Sequence, residues 1–175
     1  MFKQVIPRYA NKYRQASLTN EILTAISNYC KLLDCLTLSN CPLLESEPLA
    51  ECLISITQPL TKLDLSGNND LTDIVLEAAA KQHGKQLSHL NINGLDEITS
   101  IGLAFLTEHV KALEFVDFSW IRDVDDEFFH TFMLSGTRLQ EVRLFGCSLI
   151  SRYLLDKEWT NRSNRKITLL GNEYD

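Results

Sequence analysis

Leu60-Thr61-Lys62-Leu63-Asp64-Leu65-Ser66-Gly67-Asn68 reads L-x-x-L-x-L-x-x-N, and this spacing sets the architecture. Leu63 and Leu65 alternate with Lys62, Asp64 and Ser66 as on a short strand, so the two leucines point to one side together. Asn68 follows where such a strand must turn, and its carboxamide can both donate to and accept from backbone groups there. A single turn of this kind has nothing against which to bury its leucines, whereas stacked copies bury them against one another.

The copies are present. The template fits Leu33/Leu36/Leu38/Cys41, Leu87/Leu90/Ile92/Leu95, Leu113/Val116/Phe118/Ile121, Leu139/Val142/Leu144/Cys147 and a truncated Ile167/Leu169/Asn172. First leucines of successive complete copies lie 27, 27, 26 and 26 residues apart, within the roughly 20 to 29 residues of leucine-rich repeats. The expected fold is therefore α/β: a leucine-rich-repeat solenoid with a curved parallel sheet on its concave face and helices on its convex face. Residues 18–175 form this domain, with about five and a half repeats. Residues 1–17 carry Pro7 and polar side chains where leucines should recur, and form an N-terminal cap or arm.

The segment from Leu18 to Leu33 reads as the helical half of a preceding turn, with Thr19 as its N-cap. Thr72, Thr99, Asp125 and Ser151 recur at the equivalent place, each able to satisfy amides at its own helix start. In the first full turn this slot holds Glu45, and Ser46 and Pro48 after it shift the expected cap by one residue. Apolar stripes such as Ile74/Leu76/Ala79/Ala80, Leu103/Ala104/Leu106/Val110 and Phe128/Phe129/Phe132/Met133 set the helices behind the strands. The last strand has no helix after it, so that end needs a cover: its own polar residues, Trp159 or a partner.

Of the 175 residues 45% are hydrophobic, enough for a continuous core. No run approaches the roughly 18 consecutive apolar residues of a membrane span, and Met1-Phe2-Lys3-Gln4 does not begin a signal peptide. The expected location is nuclear or cytoplasmic, away from membranes. Five cysteines (Cys30, Cys35, Cys41, Cys52, Cys147) contain no C-x-x-C pair, and their odd number does not suit a secreted disulfide framework. The net charge is −6, yet Lys3, Arg8, Lys12 and Arg14 fall in a first segment of 17 residues without an acid. The remainder thus carries 13 basic against 23 acidic residues, a balance of −10. Such a body repels phosphates, so no direct nucleic-acid partner is expected.

No catalytic constellation is legible. His83, His89, His109 and His130 show no metal-ligand spacing, and Gly67, Gly94, Gly146 and Gly171 recur with the repeat, just before the N/C position, instead of forming a phosphate loop. Asp123, Asp125, Asp126 and Glu127 lack a calcium-loop frame and fit a helix N-terminus. The chain is read as non-enzymatic, with no cofactor and no metal.

What remains is surface. The outward rows of the strands are Cys35, Lys62, His89, Phe115, Glu141, Lys166; then Thr37, Asp64, Asn91, Asp117, Arg143, Thr168; then Ser39, Ser66, Asn93, Ser119, Phe145, Leu170. The early turns present small polar residues. The fourth and fifth present Phe115, Arg143 and Phe145, with Trp120 in the slot that glycine holds elsewhere. Clustered aromatics and arginine characterise binding hot spots, so Phe115, Asp117, Trp120, Arg143 and Phe145 are the candidate partner-binding residues. The competing reading has Trp120 fold over the edge and cover Phe145 as local packing.

Leu71-Thr72-Asp73, the Cys30-x-x-Leu33 junction, the 26-residue step and Cys41 and Cys147 together resemble the cysteine-containing leucine-rich repeats of F-box substrate receptors and the mitotic-exit antagonist. Phe118 to Asp126, Leu139 to Cys147 and Lys166 to Gly171 are similar to the C-terminal repeats of the leucine-rich-repeat subunit of fungal global-genome nucleotide excision repair. The resemblance runs from about Leu18 to the end. It implies recognition of a substrate or partner within a ubiquitin-ligase or DNA-repair complex, with a protein on the concave face and a cullin-, elongin- or Skp-type adaptor. No F-box is recognisable in residues 1–30, which points either to a separate adaptor or to a short relative or fragment. The alternative is a structural subunit of a large assembly, for example a mitochondrial one, that binds through its solenoid ends.

Overall fold

The computed structural model describes the backbone of residues 4–5, and residues 19–135, 138–161 and 163–171. Leu18, Asn172, the Glu173-Tyr174-Asp175 tail and the rest of the N-terminal arm lie outside the described residues. Strand and helix alternate: β1 (Gln4–Val5), α1 (Asn20–Tyr29), β2 (Cys35–Thr37), α2 (Ser46–Ser55), β3 (Lys62–Asp64), α3 (Asp73–His83), β4 (His89–Asn91), α4 (Ser100–His109), β5 (Phe115–Asp117), α5 (Asp126–Ser135), β6 (Glu141–Leu144), α6 (Arg152–Asp156) and β7 (Thr168–Gly171). Among the described residues the seven strands form one parallel sheet in chain order. Successive helices α1 to α5 pack on one another in the same order. The edge strand β1 comes from the arm and pairs with β2.

Parallel register lines up the second template position, so Leu36, Leu63, Leu90, Val116 and Val142 stand side by side, all buried. Full burial of one such side chain contributes about 1.5–3 kcal/mol. Phe118 joins the core edge-on to Phe128 and Phe132, at 5.4 and 5.0 Å between ring centres, so the aromatic stripe of α5 packs behind the sheet. In α4 Gly102 is buried and Ala104 exposed, and glycine fits at 102 because a Cβ there would collide with the Asp73 carboxylate.

Asn68 does what its place in the template demands. Its Nδ2 donates to Leu38 O (2.7 Å) and Leu65 O (2.6 Å), and its Oδ1 accepts from Cys41 N (2.7 Å). Cys147 fills the same position with a weaker donor, its thiol reaching Phe118 O at 3.3 Å.

The helix starts are joined differently from the expected self-capping. Thr99 accepts from Ile101 N at 3.2 Å and Asp125 from Phe128 N at 2.8 Å, but Thr19, Thr72 and Ser151 make no such bond. Instead the first residue of one helix accepts from the amide just before the next. Asn20 takes Glu45 N (3.1 Å), Ser46 takes Thr72 N (3.0 Å), Asp73 takes Thr99 N (2.8 Å) and Asp126 takes Ser151 N (2.7 Å). A cap is worth about 1 kcal/mol, and here it also ties neighbouring repeats together. The cap of α2 is not shifted: the helix begins at Ser46 after Glu45.

The last strand departs from the template. Thr168, Leu169 and Leu170 pair with Glu141, Val142 and Arg143, so the step from β6 to β7 is 27 residues, where the Ile167/Leu169 alignment implied 25. The shift of two keeps every side chain on its own face. It moves Gly171 beside Leu144 and out of the turn slot, and puts Leu170, expected beside Phe145, beside Arg143. Lys166 and Gly171 stand where the other copies have leucines, which hid the register. At this end Trp159 is buried, edge-on to Phe129 at 5.8 Å, and donates through Nε1 to Leu154 O at 3.0 Å.

Candidate functional site

After each of strands β2 to β6 the chain turns through one residue in the left-handed region. Gly67 (φ 72°), Gly94 (φ 71°) and Gly146 (φ 72°) hold this slot in three turns, Asn40 (φ 53°) in another and Trp120 (φ 63°) in the fifth. Glycine adopts this conformation freely and asparagine tolerates it, whereas a bulky side chain there is strained by about 1–3 kcal/mol. The indole does not retreat into the core: Trp120 is 58% exposed. Its six-membered ring rests on Gly146, where a Cβ would come within 2.5 Å of Trp120 Cδ2 and Cε3. Phe145, next to Gly146 in the chain, is 37% exposed. Trp120 and Phe145 are linked through the backbone by Trp120 N donating to Phe145 O at 2.7 Å.

Phe115 and Arg143 form a second group in the same face. The guanidinium carbon sits 4.9 Å from the Phe115 ring centre, and Phe115 stacks on His89 at 6.0 Å and 26°. Glu141 fixes the arginine by accepting from its Nε at 2.8 Å, and Asp117 Oδ2 stands 3.9 Å from its Nη1. The pair with Glu141, partly exposed on both sides, adds little stability, under about 1 kcal/mol, but it restrains the guanidinium over the ring. His89 was read only as a row residue and Leu170 as a neighbour of Phe145; both border this group.

Asp117 is not a surface group. It is buried, and its Oδ1 accepts from Ser119 N at 2.9 Å. Asp64 and Asn91 close the same two-residue loop onto Ser66 N and Asn93 N. The middle row thus carries side chains that cap their own strands. Buried Ser119 in turn accepts from Phe145 N through its hydroxyl at 3.1 Å. Of the five candidates, the structure brings Phe115, Arg143 and Asp117 into one contact group, sets Trp120 and Phe145 at the ends of β5 and β6, and withdraws Asp117 from solvent.

Burial lowers the pKa of His89, the Lys62 charge lowers it further and Glu114 opposes this. Burial pushes the Cys147 thiol up to about 11. His83 is fully buried and pushed down to about 4 by burial; it accepts from Leu60 N through Nδ1 and its Nε2 meets Leu53 O at 3.1 Å. The acidic run is divided among separate amides, Asp123 taking Ser100 N, Asp125 taking Phe128 N and Asp126 taking Ser151 N. Among the described residues no helix is long and apolar enough to cross a membrane.

The chain matches no protein-family model and no curated protein. It is similar to a chain in the crystal structure of the Rad7 and Elc1 complex in yeast, with a TM-score of 0.67 and 20% identity over 81% of this chain and 34% of that one. The likeness is one of fold. It supports stacked strand–helix units of the leucine-rich-repeat type, and this chain spans about one third of the length of that neighbour.

Proposed function

We infer that the chain is a non-catalytic protein-recognition module, a curved leucine-rich-repeat solenoid that holds a protein partner on the open face of its sheet. The observation that carries this reading is Trp120: a large aromatic held 58% exposed at a left-handed backbone position. That arrangement costs conformational energy and buries little, which suits a contact residue better than a packing residue. Phe145 beside it and Phe115 under Arg143 extend the apolar area along β5 and β6.

The ubiquitin-ligase or DNA-repair setting, in the nucleus or cytosol, rests on the sequence resemblance that runs from about Leu18 to the end, its repair part on stretches within residues 118–171. It is supported by a structural neighbour whose structure is a complex of two proteins. In that setting an elongin- or Skp-type adaptor joins the module to the larger machine. The test is affinity capture from native extract with wild type and the Trp120→Ala/Phe145→Ala variant side by side. Adaptors of the cullin, elongin or Skp type, or repair factors, lost from the variant support the proposal. Subunits of one large complex retained equally by both proteins would overturn it in favour of binding through the ends.

A further inference from the structure

We propose that the end of the sheet face marked by Trp120 and Phe145 takes a basic segment of its partner: an extended stretch in which arginine or lysine lies beside an apolar side chain. This rests on the reading of that face as the recognition surface and adds the chemistry of what is recognised.

The aromatic pair fixes the place. One edge of the Trp120 indole is seated on Gly146 and the residue is more than half exposed, and tryptophan is the best cation acceptor among the aromatic side chains. Phe145 at the end of β6 offers the neighbouring apolar contact. Backbone geometry at φ 63° and the glycine beneath hold the ring in position, so little side-chain freedom is lost on binding.

The surrounding charge fixes the sign. All strands are parallel, so the turns leaving β3, β4 and β5 lie along the same end of the sheet as Trp120. Those turns carry Asp70, Asp96, Glu97 and Asp123, and Arg122 among them stands 4.0 Å from Asp96. Neighbouring turns follow the strand spacing of about 4.8 Å, so the turns after β4 and β3 lie about one and two spacings from the Trp120 turn, to be set against a Debye length of about 8 Å at physiological salt. Arg143, the cation nearest on the sheet, is already held by Glu141 and covers Phe115. An acidic or phosphorylated partner would meet turns that carry four carboxylates against one guanidinium, whereas a basic one is attracted by that excess.

The test is a set of short synthetic peptides of equal length, each with a central leucine–phenylalanine pair flanked by arginine, lysine, serine or glutamate, immobilised and probed with the purified chain. Arginine- and lysine-flanked peptides should be retained at least about tenfold better than serine-flanked ones, losing that margin at high salt. Trp120→Gly, which keeps the left-handed turn, should abolish the preference. Asp70→Lys/Glu97→Lys, at two exposed positions, should turn it towards glutamate. Equal or better retention of serine- or glutamate-flanked peptides, no retention at all, or a preference unchanged in Trp120→Gly would overturn the proposal. If that happens while capture from extract is still lost in Trp120→Ala/Phe145→Ala, the recognition reading stands and only the charge assignment fails; if capture is also unchanged, both fail.

Discussion

The indole of Trp120 lies on the α-carbon of Gly146 one turn further along, and both residues sit in the left-handed region, at φ 63° and 72°. The same relation joins Asn40 to Gly67, whose Cβ would come within 2.5 Å of Asn40 Oδ1. A slot residue that carries a side chain thus needs a bare α-carbon in the next slot, which makes Trp120 and Gly146 one unit.

Trp120→Ala keeps the strained backbone and discards the ring, whereas Trp120→Gly removes the strain. Trp120→Gly should therefore be the more stable of the two by about 1 kcal/mol in urea unfolding. Equal stability would mean that the turn is not strained.

Gly146→Ala forces a Cβ into both a left-handed backbone and the indole, and should lose about 2 kcal/mol or more. Trp120→Gly on the same chain should restore the part due to collision. A double-mutant cycle reads that coupling, expected to be at least about 0.5 kcal/mol.

Asn68→Ala leaves Cys41 N, Leu38 O and Leu65 O without their buried partner. Each orphaned group costs about 1 kcal/mol or more, so a loss of about 3 kcal/mol is expected from urea midpoints. A loss under about 1 kcal/mol would mean that these groups find other partners.

His83 is neutral in the fold, with its pKa pushed down to about 4, while the unfolded chain binds a proton near the ordinary value of about 6.5. Its contribution is fully present above about pH 6.5 and declines as pH falls towards about 4, by up to about 3 kcal/mol. Unfolding free energies of wild type and His83→Gln should converge as pH falls from 7 to 5; parallel profiles would show that His83 is not the titrating group.

The leucine register was legible because it follows from spacing within a single turn, and the place of Asn68 because the template puts a backbone-bonding carboxamide where the strand turns, although two of its three bonds, to Cys41 N and Leu38 O, reach the preceding turn. The ties from Asn20, Ser46, Asp73 and Asp126 were not, since each acceptor serves an amide 25 or 26 residues away. The register of β7 was hidden by Lys166 and Gly171 in leucine positions. Within the site, Trp120 was visible as an anomaly in a glycine slot and Phe115 and Arg143 as outward residues of adjacent strands. Asp117 was misplaced because alternation puts it on the outer face, while its short carboxylate folds back onto Ser119 N.

The most direct measurement is acrylamide quenching of tryptophan fluorescence in the chain with its captured partner. Trp120 is exposed and Trp159 buried, so in the free protein the accessible signal belongs to Trp120, and Trp120→Phe gives the baseline of Trp159 alone. If the partner sits on the Trp120 end of the sheet, quenching of the complex falls to that baseline. Quenching as strong in the complex as in the free chain would place the partner elsewhere and contradict the account.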